Sequence, residues 1–216
     1  MLAWPILITL HGYRKWHFAH HREVGRDTDP DLIRMSKEDK YHFPQSDAKL
    51  SFVFIRYLLG FYAYNDGKGA LKDLASNLPL KLQIQRITLY VITLGIVFSL
   101  NIWLELLLYW FVPFNTVLLL LLYWRLIAEH AAIPDSDSAF GKTRHIDPHW
   151  WERPFFAPNG VNYHLDHHLY PSVPFYNLKK LHRLLLNDAG YRHHAHITKG
   201  YLSGLWQECV NNKASS

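Results

Sequence analysis

From Arg86 to Ala128 the chain runs for 43 residues with Glu105 as its one carboxylate, and no other segment restricts the fold as strongly. A helix needs about 20 apolar residues to cross a hydrocarbon core, so the stretch predicts a helical hairpin over about 86–128. Two places offer a turn: the polar pair Asn101 and Glu105, or Pro113 with Asn115. A turn at Pro113 leaves too short a second helix, so the earlier turn is expected, with Pro113 as a kink. That choice puts Glu105 at an interface, where it avoids the ~2.5–3.5 kcal/mol that insertion scales assign to a charge at mid-bilayer. Trp103, Tyr109, Trp110, Tyr123 and Trp124 then read as interfacial aromatics. Lys81, Arg86, Arg125, Lys142 and Arg144 place both hairpin ends on the cytosolic side.

The flanking segments are polar, and no Gly-, Ser- or Pro-rich linker divides them. The expectation is one all-α domain over 1–216: a multi-pass membrane helical bundle with a cytosolic helical cap. Met1 to Leu10 runs into Tyr13, Arg14 and Lys15 and reads as the exit of a span that begins upstream. Asp29-Pro30-Asp31 reads as a turn. Ser51 to Tyr64, interrupted by Arg56 and Gly60, reads as an interfacial or re-entrant helix, followed by a loop at Asn65, Asp66, Gly67 and Gly69. The net charge of +5 is scattered, without a basic stripe interleaved with aromatics. That argues against nucleic acid and for anionic lipid headgroups. Cys209 stands alone, which excludes an internal disulfide and a Cys-x-x-Cys metal ribbon.

Among 15 histidines, two groups repeat one spacing: His17, His20 and His21, then His164, His167 and His168, each H-x-x-H-H. Positions i, i+3 and i+4 share a helix face, so each triad is expected to present three imidazoles toward a common point. Six nitrogens exceed the needs of one tetrahedral ion and imply two, although imidazole alone does not choose among iron, zinc, copper and nickel. A hairpin returns the chain to the side it left, so both triads fall on one side, where His130 beside Glu129 joins them. His11, His42, His145, His149, His182, His193, His194 and His196 read as ordinary polar or surface groups. Glu23, Asp27, Asp29, Glu129, Asp147 and Asp166 are candidates for orienting the ligands. Asp166, about 200° around a helix from His164, points away from the metal side.

These residues resemble the membrane fatty acid desaturase family. YRKWHFAHHREVGRDTDPDL (13–32) resembles its second histidine box, AEH (128–130) its additional ligand, and NYHLDHHLYPSVPFYNLKKLH (162–182) its third box. The resemblance implies a non-haem centre of two iron ions with His17, His20, His21, His130, His164, His167 and His168 as ligands. It further implies O2 as co-substrate, an acyl chain or membrane lipid as substrate, and removal of two hydrogens from that chain. Electrons would come from a separate donor of ferredoxin or cytochrome b5 type, since no His-Pro-Gly-Gly haem motif is fused to the chain. The family's first box, His-x-x-x-His or His-x-x-x-x-His, has no counterpart before His17, so the reading is of an N-terminally truncated desaturase with an incomplete cage. A related di-iron hydroxylase or carotenoid ketolase shares the triads, and a non-catalytic membrane remnant accounts for the missing box.

Overall fold

The computed structural model describes residues 9–74, 79–133 and 139–211. Most of Met1–Leu10, read as the end of a span, lies outside them. The chain is mostly helical and packs as two units, one of residues 1–22 and 54–120, the other of residues 23–53 and 121–216.

In the first unit, Thr9 opens helix α1 (Leu10–Glu23), its hydroxyl accepting from the Gly12 N–H at 3.1 Å, as an N-cap does. Helix α3 (Asp47–Leu58) ends in this unit at Gly60, whose φ of +78° makes the left-handed turn. The Phe61 and Gly60 N–H groups bond back to Arg56 and Tyr57. Helix α4 (Ala63–Leu74) then runs straight through the Asn65–Gly69 segment expected to be a loop. Propensity is a weak prior, and here the Tyr57 hydroxyl, donating to Asp66, ties the helix down.

Helix α5 (Leu80–Leu100) stops at Asn101, which adopts φ +52°, ψ +38°. The Asn101 N–H bonds to Phe98 O and the Ile102 N–H to Val97 O, the paired bonds of a Schellman motif. The next helix, α6, runs over Trp103–His130, 28 residues. The chain therefore breaks where the span-length arithmetic places the turn. Pro113 does not end α6: π-helical turns at Leu107–Phe111 and Phe114–Leu118 flank it. Asn115 Nδ2 donates to Phe111 O and Thr116 Oγ1 to Val112 O, at 2.8 and 2.7 Å, giving partners to carbonyls near the proline, which has no N–H. Among the described residues α5 and α6 are long and apolar enough to cross a membrane.

The second unit holds helix α2 (Pro30–Met35), for which Asp29-Pro30-Asp31 is the N-cap and first turn. Asp29 accepts from the Asp31 N–H, and Pro30 sits at N1, where its missing donor costs nothing. It also holds strand β1 (His145–Asp147), short helices α7 (Arg153–Phe156) and α8 (His164–Leu169), α9 (Phe175–Leu185), α10 (Ala189–His194), strand β2 (Ile197–Lys199) and α11 (Leu205–Asn211). The strands pair in parallel, Ile146 opposite Thr198. This small sheet is an addition to the all-α expectation. Its strands are three residues long, below what periodicity detects.

The core of this unit gathers Leu50, Tyr123, Trp124, Ile127, Ile146, Leu165, Leu205 and Cys209, each at most 2% exposed. Tyr123 and Trp124, read as interfacial, are thus core residues. Tyr123 donates to Lys40 O at 2.7 Å and packs on Tyr41, while Trp124 packs on Trp206.

Candidate metal centre

Each triad proves to be a pair plus one. On α1 the Nε2 atoms of His17 and His21, four apart, lie 3.1 Å from each other. The His20 ring stands 6.4 and 5.8 Å from theirs and is buried. On α8, His164 and His168 have ring centroids 4.4 Å apart, whereas His167 stands 6.3 and 5.9 Å from them. The common point expected for three imidazoles of one helix is therefore not seen. Four residues advance a helix by about 400° and three by about 300°, so i and i+4 overlie one another while i+3 turns off.

His130, the last residue of α6, joins the α8 pair. Its Nε2 lies 2.9 Å from that of His164, and its ring centroid is 5.4 Å from that of His168. The ligand nitrogens of His130, His164 and His168 all fall within 4.8 Å of one another. With metal–imidazole bonds of ~2.0–2.1 Å, one ion spans such a set after small ring movements. Burial first, then the neighbouring His168 and His130, hold His164 well below its ordinary value. A neutral imidazole is the ligating form, so the donor set fits a borderline metal such as iron.

The candidate orienting carboxylates have distinct duties. Glu129 takes Arg125 Nε at 2.6 Å, with His164 Nδ1 3.7 Å away. Asp29 caps α2, and Glu23 accepts from Thr28 at 2.8 Å. Asp147 and Asp27 are exposed.

Asp166, fully buried on the far side of α8, accepts from His145 Nδ1 (3.2 Å), His182 Nδ1 (3.1 Å) and the Tyr191 hydroxyl (2.9 Å). Burial raises the Asp166 carboxyl, but the hydrogen bonds of His145 and His182 outweigh it and hold the group below its ordinary value. Burial likewise pushes the Tyr191 phenol up, with Asp166 adding to it, so the hydroxyl stays protonated and donates. Asp188 sets Tyr191 in place by capping α10 at 2.7 Å. The ligand atoms of this cluster also fall within 4.8 Å of one another, but its rings are arranged to hydrogen-bond Asp166. His145 and His182 stack 3.9 Å apart at 8°, and one ion cannot lie in the planes of two parallel rings.

His145 and His182, read as ordinary polar groups, thus brace the third box. The signal for His182 is its place in the sequence, where it shares a helix face with Leu178, the residue of α9 buried in the core. His145 gives no local signal. Arg144, read only as a topogenic charge, is 0% exposed and paired with Glu208 at 2.9 Å. Burial pulls its guanidinium down and Glu208 raises it again; it remains a cation at neutral pH.

A long apolar helix ending in His130, and a short one carrying His164 and His168, define a helical protein in which three imidazoles come close enough to hold a metal ion. Residues 1–201 match the fatty acid desaturase family, and the chain belongs to it. A relative, dihydrorhizobitoxine desaturase of Bradyrhizobium elkanii, is 26% identical over 202 residues, covering 88% of this chain and 57% of its own length. The chain thus spans little more than half of that relative. Members of the family are oxidoreductases and are typically membrane-associated.

Proposed function

We propose that this chain carries the catalytic portion of an O2-dependent desaturase acting on an acyl chain at a histidine-ligated di-iron centre. The observation that carries the reading is the His130–His164–His168 set, three imidazoles within reach of one ion, in a member of the desaturase family. The His17–His21 pair on α1 supports a second ion. With His20 and His167 these residues make up the proposed ligand set. The iron, when bound, would supply O2 activation strong enough to attack an unactivated C–H bond.

The residues of this chain do the holding. Imidazoles resist oxidation, the neutral His164 is ready to ligate, and Asp166 fixes the orientation of α8. The substrate gives up two hydrogen atoms, which are two protons and two electrons; a separate donor of ferredoxin or cytochrome b5 type gives two more electrons, solvent gives two more protons, and O2 leaves as two waters. The proposed setting is an integral multi-pass protein with the histidines at the cytosolic membrane face, with α5 and α6 as two of the spans.

The test is product analysis of the full-length protein by mass spectrometry, supplied with saturated acyl substrates and with dihydrorhizobitoxine, the compound for which the relative is named. Loss of two hydrogens is expected. A gain of oxygen would assign a hydroxylase or ketolase instead, and no turnover with iron bound would leave a non-catalytic remnant.

A further inference from the structure

His130 and His164 end and begin two helices that are separated by 33 residues of chain, and Arg144 grips both helix ends. Its guanidinium donates to the carbonyls of Ile127 (3.1 Å), Ala128 (3.3 Å), Ala131 (3.0 Å) and Ala132 (2.9 Å). These belong to the last turn of α6 and the residues after it, where a helix runs out of internal donors. Ala132 has φ +52°, a left-handed conformation that a Cβ disfavours, and its carbonyl is among the four gripped.

The backbone of Arg144 reaches the other helix. Its carbonyl accepts from the N–H of Leu165 at 3.2 Å, the second residue of α8, and the next residue, His145, donates to Asp166 of the same helix. A buried cation needs a counter-charge. Glu208 of α11 provides it, itself held by His196 at 2.8 Å and Thr198 at 2.7 Å. Glu208 lies beyond the residues matched to the family.

We propose that Arg144 is a positioning residue for the metal centre: with its side chain capping the helix that ends in His130 and its backbone bonded to the helix that begins at His164, it sets the spacing of the His130–His164–His168 ligands before metal arrives. Glu208 keeps it in place. The inference rests on the reading of those three histidines as metal ligands.

Co(II) titrated into the full chain in detergent tests it, because the visible bands of Co(II) report the number and geometry of its ligands. Arg144→Lys keeps the charge facing Glu208 but loses the planar fork that reaches four carbonyls. It is expected to fold, judged by protection of the Cys209 thiol, yet to bind Co(II) about 10–100-fold more weakly, as loss of an outer-shell support does, with displaced bands. Glu208→Gln should move affinity and bands in the same direction by less, and it decides the matter if Arg144→Lys fails to fold. A folded variant that loses only thermal stability, with wild-type affinity and bands, overturns the proposal while leaving the ligand reading intact. Should the wild-type chain show no band that His164→Ala removes, the ligand reading itself falls, and this inference with it.

Discussion

His164 is buried against the rings of His130 and His168. It and His145 both sit below the ordinary histidine value of 6.5, each mainly through burial. Below that value the unfolded chain takes up protons that the folded chain refuses, so folding stability is full above pH 6.5 and declines as pH falls. Thermal unfolding followed from about pH 8 to about pH 5.5 should therefore show a falling midpoint, and a flat profile would contradict the buried neutral rings. Asp166 and Glu208, held below 3.8 and 4.5, withdraw their share only at still lower pH. The same scale predicts the metal response. His164→Ala should remove most of the bound metal measured by elemental analysis, and His193→Ala, on the exposed face of α10, should remove none. Cys209 gives an independent probe. Burial pushes its thiol up to about 12, so maleimide labelling should be slow in the native protein and complete after denaturation.

Elements are decided by how their ends are closed. Asn101 closes α5 in the left-handed conformation, which asparagine tolerates and β-branched residues do not. Asn101→Gly should leave the unfolding midpoint in detergent unchanged or higher, whereas Asn101→Val should cost about 1–2 kcal/mol. The break at Asn101 was legible because span length and polar residues both point to it. The Asn65–Gly69 segment misleads, since loop-forming residues there are overruled by the Tyr57–Asp66 contact, which no local pattern encodes. The π-helical turns around Pro113 are partly legible: proline announces a disturbance, but its absorption depends on Asn115 and Thr116 finding carbonyls one turn back.

At the scale of the molecule, α5 and α6 predict that the protein stays with membranes after an alkaline wash and is released only by detergent. Release without detergent would count against the spans. The histidine boxes, their order and the apolar stretch between them were all written in the sequence, because helical periodicity and span length are local properties of the chain. The grouping of the histidines was not. Which triad member turns aside follows from helix geometry, but that His130 meets His164 and His168 depends on contacts across the intervening chain. Arg144, His145, His182 and Glu208 are separated by as many as 64 residues, and each alone looks like a surface charge or polar group. The sequence alone determined the histidine clusters and the helices that carry them, since side-chain chemistry and local spacing suffice for that. Only the tertiary structure decided which histidines meet and what braces them, because a buried hydrogen bond forms between residues that packing, not spacing, brings together.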